Sequence, residues 1–374
     1  MSDAHRRYRA IQRVVLQALP CPKNSHQAKA IQVLSLLICG IVGAQHTHMP
    51  QIVRKSPSFG AKPASRIKRF QRWVRNERVT SDTFFLPFAR TLLTALAHQP
   101  LVLIMDGSTI GRGCLVLMLS VRYRGRALPL VWTIVRGKKG HFPAVTHGAL
   151  VDQVAPLLPS AATVIFLGDG EFDSTDLQRQ LQQLGWSYVC RTACNTLLWW
   201  GGDTMLQLQA LLVPQGESLS VFGTNVTTAR YGPVSIVVVW EHGYAQPLYL
   251  VSNLADTAAI LHWYRRRAHI ETFFSDQKSR GFRLDRSHLS DPARLSWLLI
   301  AACLAYLWLV YLGSRALADN LVGQIHRPNR CDLSLFQLGA LLLDWLLDAT
   351  RPLPVAFCPI PTLALPDQLM FSVR

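Results

Sequence analysis

LVLIMDGST, residues 101–109, is an apolar run broken by Asp106 and followed by turn-forming residues. Five apolar residues in a row ahead of a turn read as a strand buried on both faces. The texture returns in TVIFLGDGEFDS, residues 163–174, where the run ends at Gly168 and Asp169. A carboxylate just past the C-terminal end of a buried strand points into the crevice where open α/β sheets hold ligands. One such aspartate is an ordinary turn residue; two on separate strands point to a shared site. Between them, 114–121 and 128–135 are strand-like and flank Arg122-Tyr123-Arg124-Gly125-Arg126, which reads as a hairpin. Residues 144–158 have a helical period, Asp173 or Ser174 caps a helix running to about Leu184, and 186–191 form another strand. This order predicts an α/β fold: a mixed sheet with flanking helices.

On either side the texture changes. Residues 1–98 show no strand alternation and read as an all-α, basic N-terminal region. Residues 195–253 return to β texture, clearest at 235–240 and 248–252, and a long helix starts near Asp256. The expected division is therefore 1–98 helical, 99–194 first part of the sheet core, 195–253 a β-rich insertion, 254–320 second part of the core, and 321–374 a helical tail.

Among 374 residues, 49% hydrophobic and 16% charged exclude a disordered chain. The net charge of +17 points to a polyanionic partner, nucleic acid or an anionic membrane surface. That charge is concentrated between residues 54 and 78, where nine Lys/Arg meet one acid, Glu77. Within this stretch 65–76 is amphipathic: Ile67, Phe70 and Val74 share a face, Trp73 lies at its edge, and Arg66, Lys68, Arg69, Arg72 and Arg75 fill the remainder. Arg66, Arg69, Arg72 and Arg75 are thus candidate phosphate contacts. Eight cysteines without a C-x-x-C pair read as buried free thiols rather than a disulfide scaffold or zinc set. Residues 295–313 carry no charge and are long enough to span a bilayer, but beside so much α/β pattern they read as a helix buried against the sheet.

The most specific pattern is YRRRAHIETFFSDQK, residues 264–278. On one continuous helix Tyr264, Arg267, Glu271 and Lys278 would fall within a stripe of about 60°. An aromatic and a carboxylate flanked by two cations, with no aliphatic, is not a packing stripe. The spacing Tyr-x2-Arg-x3-Glu-x6-Lys resembles in full the signature of the bacterial insertion-sequence transposases of the IS-four family, members of the DDE superfamily. Asp106 in DGST resembles that family's first catalytic acid, Asp169 in GDGEFDS the second, and Glu271 the third. The resemblance covers 101–310 well and the basic helix at 65–76 more loosely.

It implies an RNase H-like core, interrupted by the β-rich insertion before the third acid. It also implies cut-and-paste transposition: hydrolytic nicking at transposon ends, then attack by the freed 3′-hydroxyl on target DNA. Hard oxygen donors suit Mg²⁺, with Mn²⁺ as a substitute, and three carboxylates can hold two ions about 3.5–4 Å apart. Arg267 and Lys278 would clamp phosphates and Tyr264 would touch backbone or sugar. The implied partners are double-stranded DNA (terminal inverted repeats and target) and a second copy of the chain in the DNA complex, with no membrane; the implied location is the cytoplasm, at the nucleoid. Two positions depart from the pattern. Gly170 follows the second acid where many relatives carry arginine, and Pro247 stands where some carry a base-stacking tryptophan, Trp240, Tyr244 and Tyr249 being the nearest aromatics. A metal-dependent nuclease, or a relative that binds DNA without cutting it, would share most of these features.

Overall fold

The computed structural model describes residues 1–137, 142–200, 203–327 and 332–362. The chain opens with six helices: α1 (Asp3–Ala18), α2 (Ser25–Ala44), α3 (Met49–Lys55), α4 (Pro63–Trp73), α5 (Ser81–Phe84) and α6 (Leu86–Leu96). Local chemistry starts them. Asn24 and Thr80 accept hydrogen bonds from the backbone N–H three residues on, while α3, α4 and α6 carry proline in the first turn, where no N–H is missed. In α4, Phe70 and Trp73 are buried, the Trp73 indole donating to the Ala30 carbonyl, so Trp73 belongs to the packing face rather than its edge.

Three strands follow, β1 (Leu101–Ile110), β2 (Cys114–Tyr123) and β3 (Arg126–Arg136), paired as an antiparallel meander with Arg124-Gly125 at the second turn. After α7 (Ala144–Val154), β4 (Val164–Gly168) lies parallel to β1 on its free side. After α8 (Thr175–Gln183), capped by Ser174, β5 (Ser187–Arg191) lies parallel to β4. The order β3-β2-β1-β4-β5, with three antiparallel strands and two parallel ones, is that of the RNase H-like fold.

The β-rich stretch holds β6 (Leu197–Trp200), β7 (Thr204–Gln207), β8 (Ser218–Val226), β9 (Tyr231–Val239) and β10 (Leu248–Ser252). It does not stand apart from the first sheet. β10 pairs antiparallel with β5, Val251 opposite Cys190, and β9, β8, β6 and β7 continue outward to give one ten-stranded sheet among the described residues. The alternation that marks a strand carries no information about its partner, so this continuity is invisible in the sequence.

The helices α9 (Thr257–Tyr264) and α10 (His269–Gln277) come next, then α11 (Pro292–Ala318), α12 (Val322–Ile325) and α13 (Leu335–Asp348). Two helices, α2 and α11, are long and apolar enough to cross a bilayer. In this fold α11 packs against β3, α2 and α13, with every residue from Leu298 to Val310 buried. Its crossing with α13 is glycine-lined: a Cβ on Gly339 would sit 1.8 Å from the Leu309 carbonyl oxygen, and one on Gly313 1.9 Å from that of Leu335. The tail is helical only in part. Beyond α13 the described residues to 362 form no further helix or strand, and they are pinned where the Trp308 indole donates to Pro354 O and the Tyr123 hydroxyl to Ile360 O. The described cysteines are free; Cys39, Cys114, Cys190 and Cys303 are buried as expected, but Cys21 and Cys194 are exposed.

Candidate active site

β1 does not end before Asp106. It continues to Ile110, with Asp106 opposite Met118 of β2. Its pairing with β4 stops at Ile104–Leu167, however, so from Asp106 onward the strand has a neighbour on one side only and residues 106–108 become half-buried. Asp169 directly follows β4. The two carboxylates therefore flank the notch where the parallel ladder gives out, which is where an open α/β sheet offers room for a ligand.

The third acid comes from a helix that is broken rather than continuous. α9 ends at Tyr264 and α10 begins at His269; between them Arg266, Arg267, His269 and Ile270 donate to carbonyls three residues back, a tighter winding than the α-helix. Lys278 lies just past α10, with non-helical dihedrals. The four signature residues thus do not form one helical stripe. Neither glycine nor proline occurs at the break, and nothing in the local sequence announces it.

The break still delivers its residues to one place. A cleft of about 1180 Å³ is lined by Asp106, Asp169 and Glu271 together with Arg267 and Lys278. Arg267 lies 3.8 Å from Asp106 Oδ2 and 3.5 Å from Glu271 Oε1, linking the first and third acids. Lys278 Nζ donates to Ser108 Oγ at 2.6 Å, and burial holds its pKa below the usual lysine value. Asp106 accepts from the Gly107 N–H at 2.7 Å, and Asp169 from the Glu171 N–H at 3.0 Å. Burial pushes the Asp106 carboxyl up to about 6; Arg267 opposes the rise, and the charges of Asp169 and Glu271 add to it. Glu271 is 64% exposed, and among the described residues no three acids, histidines or cysteines already stand at metal-holding distance.

Tyr264 faces a neighbouring pocket of about 490 Å³ that meets the cleft at Arg191, Gln246, Pro247 and Arg267. Arg191, the last residue of β5, is a cation on both walls that sequence reading missed, since a single strand-end arginine belongs to no motif. Gly170 stands in open space. Of the aromatics near Pro247, Tyr249 lines the cleft and Tyr244 the pocket. Trp240 lines neither, and its indole donates to Tyr244 O at 2.8 Å, holding the turn. The acids outside the trio have structural partners: Asp173 accepts from Thr192 Oγ1, and Asp276 forms a buried ion pair with Arg126 at 2.9 Å. Glu171 accepts from the Phe142 N–H on the cleft wall.

The N-terminal candidates separate. Arg72 and Arg75 are exposed and Arg69 is half-buried. Arg66 is 8% exposed, its guanidinium bonded to Val53 O, Ser56 O and Ser56 Oγ, so it clamps α4 to the end of α3 and has no free face for a phosphate.

Residues 97–308 match the family described as transposase DDE domain, a span that contains all three acids. Among solved structures, a piggyBac transposase synaptic complex with hairpin DNA is similar at 13% identity and a TM-score of 0.45, covering 92% of this chain and 78% of that one. No curated protein matches the chain.

Proposed function

This chain belongs to the transposase DDE domain family, and we propose that it is a cut-and-paste DNA transposase of the IS-four kind. The observation that carries this reading is the convergence of Asp106, Asp169, Glu271, Arg267 and Lys278 on one cleft from three separate stretches of chain.

The donor set fits hard divalent cations. The three acids offer only oxygen, and two of them raise the pKa of the third, a repulsion that a cation between them would remove. Asp106, Asp169 and Glu271 would hold two Mg²⁺ or Mn²⁺ ions, which when bound supply activation of the attacking oxygen and charge relief at the leaving 3′-oxygen. The protein's own groups orient the DNA. Arg267, relieved of its carboxylate partners, places a guanidinium on a strand phosphate. Lys278, tethered to Ser108, holds a second phosphate beside β1, and Arg191 contributes charge from the opposite wall. Tyr264 packs against sugar or backbone in the neighbouring pocket. Water attacks phosphorus at the transposon end, breaking its bond to the 3′-oxygen; the released 3′-hydroxyl then attacks a target phosphodiester and displaces that strand's 3′-oxygen. The partners are duplex DNA, as transposon ends and target, and a second copy of the chain carrying the other end, in the cytoplasm.

Purified Glu271→Gln should bind end-bearing duplex as wild type does, yet nick it at least about a hundredfold more slowly with Mg²⁺. Near wild-type nicking would overturn the assignment of Glu271. An assay for joining of the nicked end to a second duplex separates transposase from nuclease, since a nuclease stops at the nick.

A further inference from the structure

Away from the cleft, a cavity of about 240 Å³ lies where the N-terminal helices meet the sheet core. Its polar lining is His48, Gln71, Arg75, Ser287, His288 and Arg294, with no carboxylate among them. These come from four places: the connection before α3, the end of α4, the loop after α10 and the first turn of α11. Among the described residues, neither guanidinium has an ion-pair partner.

Two histidines meet edge to face across the seam, the rings of His48 and His288 being 4.6 Å apart. His288 has φ of 63°, a left-handed conformation that a histidine adopts only at some energetic cost. Its Nδ1 accepts from Arg112 Nη2 at 2.5 Å. The His48 ring has no hydrogen-bond partner among the described residues, and burial together with His288 keeps its pKa below the ordinary value. The surroundings are positive on balance. His46 accepts from the His48 backbone N–H, Arg283 and Arg286 lie beside His46 with Asp285, Arg112 reaches over from the β1–β2 turn, and Arg75 and Arg294 close the cavity, with Asp291 at the cap of α11. Asp285 and Asp291 lie outside the lining, so the cations that face the cavity form a site for an anion.

We infer that this cavity binds a backbone phosphate of duplex DNA between Arg75 and Arg294, with His48 taking up a proton as the phosphate enters. The inference rests on the DNA-handling function above, and it deepens that reading by adding a contact remote from the three acids. Phosphate suits the two guanidinium groups of the lining, and its negative charge favours the protonated form of His48 against the burial and the His288 charge that oppose it. Proton uptake makes the affinity pH-dependent.

The test is fluorescence anisotropy with labelled duplex at constant ionic strength, between about pH 8 and about pH 6, on wild type, His48→Gln and Arg75→Gln/Arg294→Gln. His48 sits at the start of α3 without a capping bond from its side chain, so melting temperatures should match and serve as the folding control. Wild type should tighten roughly three- to tenfold more than His48→Gln on acidification. The double variant should lose roughly 0.9 per contact from the slope of log K against log salt. Identical profiles in all three proteins would overturn the site while leaving metal-dependent nicking, and the function proposed above, intact; failure to bind duplex at all would overturn both. Inorganic phosphate, added at matched ionic strength, is the last arm. If it raises the wild-type melting temperature while duplex binding is indifferent to the substitutions, the site takes small anions and DNA is the wrong ligand.

Discussion

The cleft and the helical amino-terminal region use charged side chains in opposite ways. In the cleft, Asp106, Asp169 and Glu271 face one another across open space, and the repulsion is only partly met by Arg267. In the amino-terminal region part of the charge is consumed internally. Arg66 fills a cage of Val53 and Ser56 oxygens, Arg7 is buried and donates to Lys55 O, and Arg6 reaches across to Leu346, Leu347 and Arg351 carbonyls at the end of α13. Unmet charge marks a place that waits for a ligand, whereas met charge marks a joint. A count of basic residues does not distinguish the two.

The largest effect on stability should come from breaking a joint. Arg66→Met takes the guanidinium from two carbonyls and a hydroxyl in a buried place, leaving Val53 O only a long bond from Ser56 Oγ, and should cost about 2–3 kcal/mol in denaturant unfolding; a loss below about 0.5 kcal/mol would mean that the cage is incidental. The cleft should respond with the opposite sign. Asp106 titrates at about 6 in the fold against an ordinary 3.8, so between those values the folded protein holds a proton that the unfolded chain has released. Metal-free protein should therefore lose stability as the pH rises through this window. Asp106→Asn, inactive, should then be more stable by about 1–2 kcal/mol near neutral pH in a chelator, with the window flattened; equal melting curves would show that the repulsion is screened. The smallest effect belongs to charge that faces outward wholly or in part. Arg69→Gln with Arg72→Gln should leave unfolding within about 0.5 kcal/mol of wild type and take roughly 0.9 per contact from the salt slope of duplex binding; a clear loss of stability would mark these arginines as joints too.

Much of the cleft was legible because its signals are local. An apolar run ending in an aspartate reports a buried strand and the place where it opens to a cleft: Asp169 follows the end of β4, while Asp106 lies within β1 where its parallel neighbour gives out. What escaped is non-local or ambiguous in kind. The amphipathic pattern of α4 identifies a polar arc but not which cation within it turns inward, so Arg66 and Arg72 look alike. The period alone sets Trp73 at the edge, because a wide packing face and a narrow one share it. The break between Tyr264 and His269 leaves no trace in residue type, and the union of β10 with β5 depends on a pairing that neither strand encodes alone.

That union fixes where the molecule can and cannot move. With β10 hydrogen-bonded along β5, the inserted strands are girders of the same beam that carries Asp169 and Arg191, and they cannot swing as a separate flap without tearing the ladder. Among the described residues, two segments at the cleft are not part of the beam and are where it can open to a thick, stiff duplex: the turn from Glu241 to Pro247 along one rim, and the four-residue joint from Arg265 to Ala268 that lets the helix bearing Glu271 tilt against its predecessor. Slow amide exchange should therefore run unbroken from β4 across β5 and β10 into β9, with faster exchange at those two rims of the cleft.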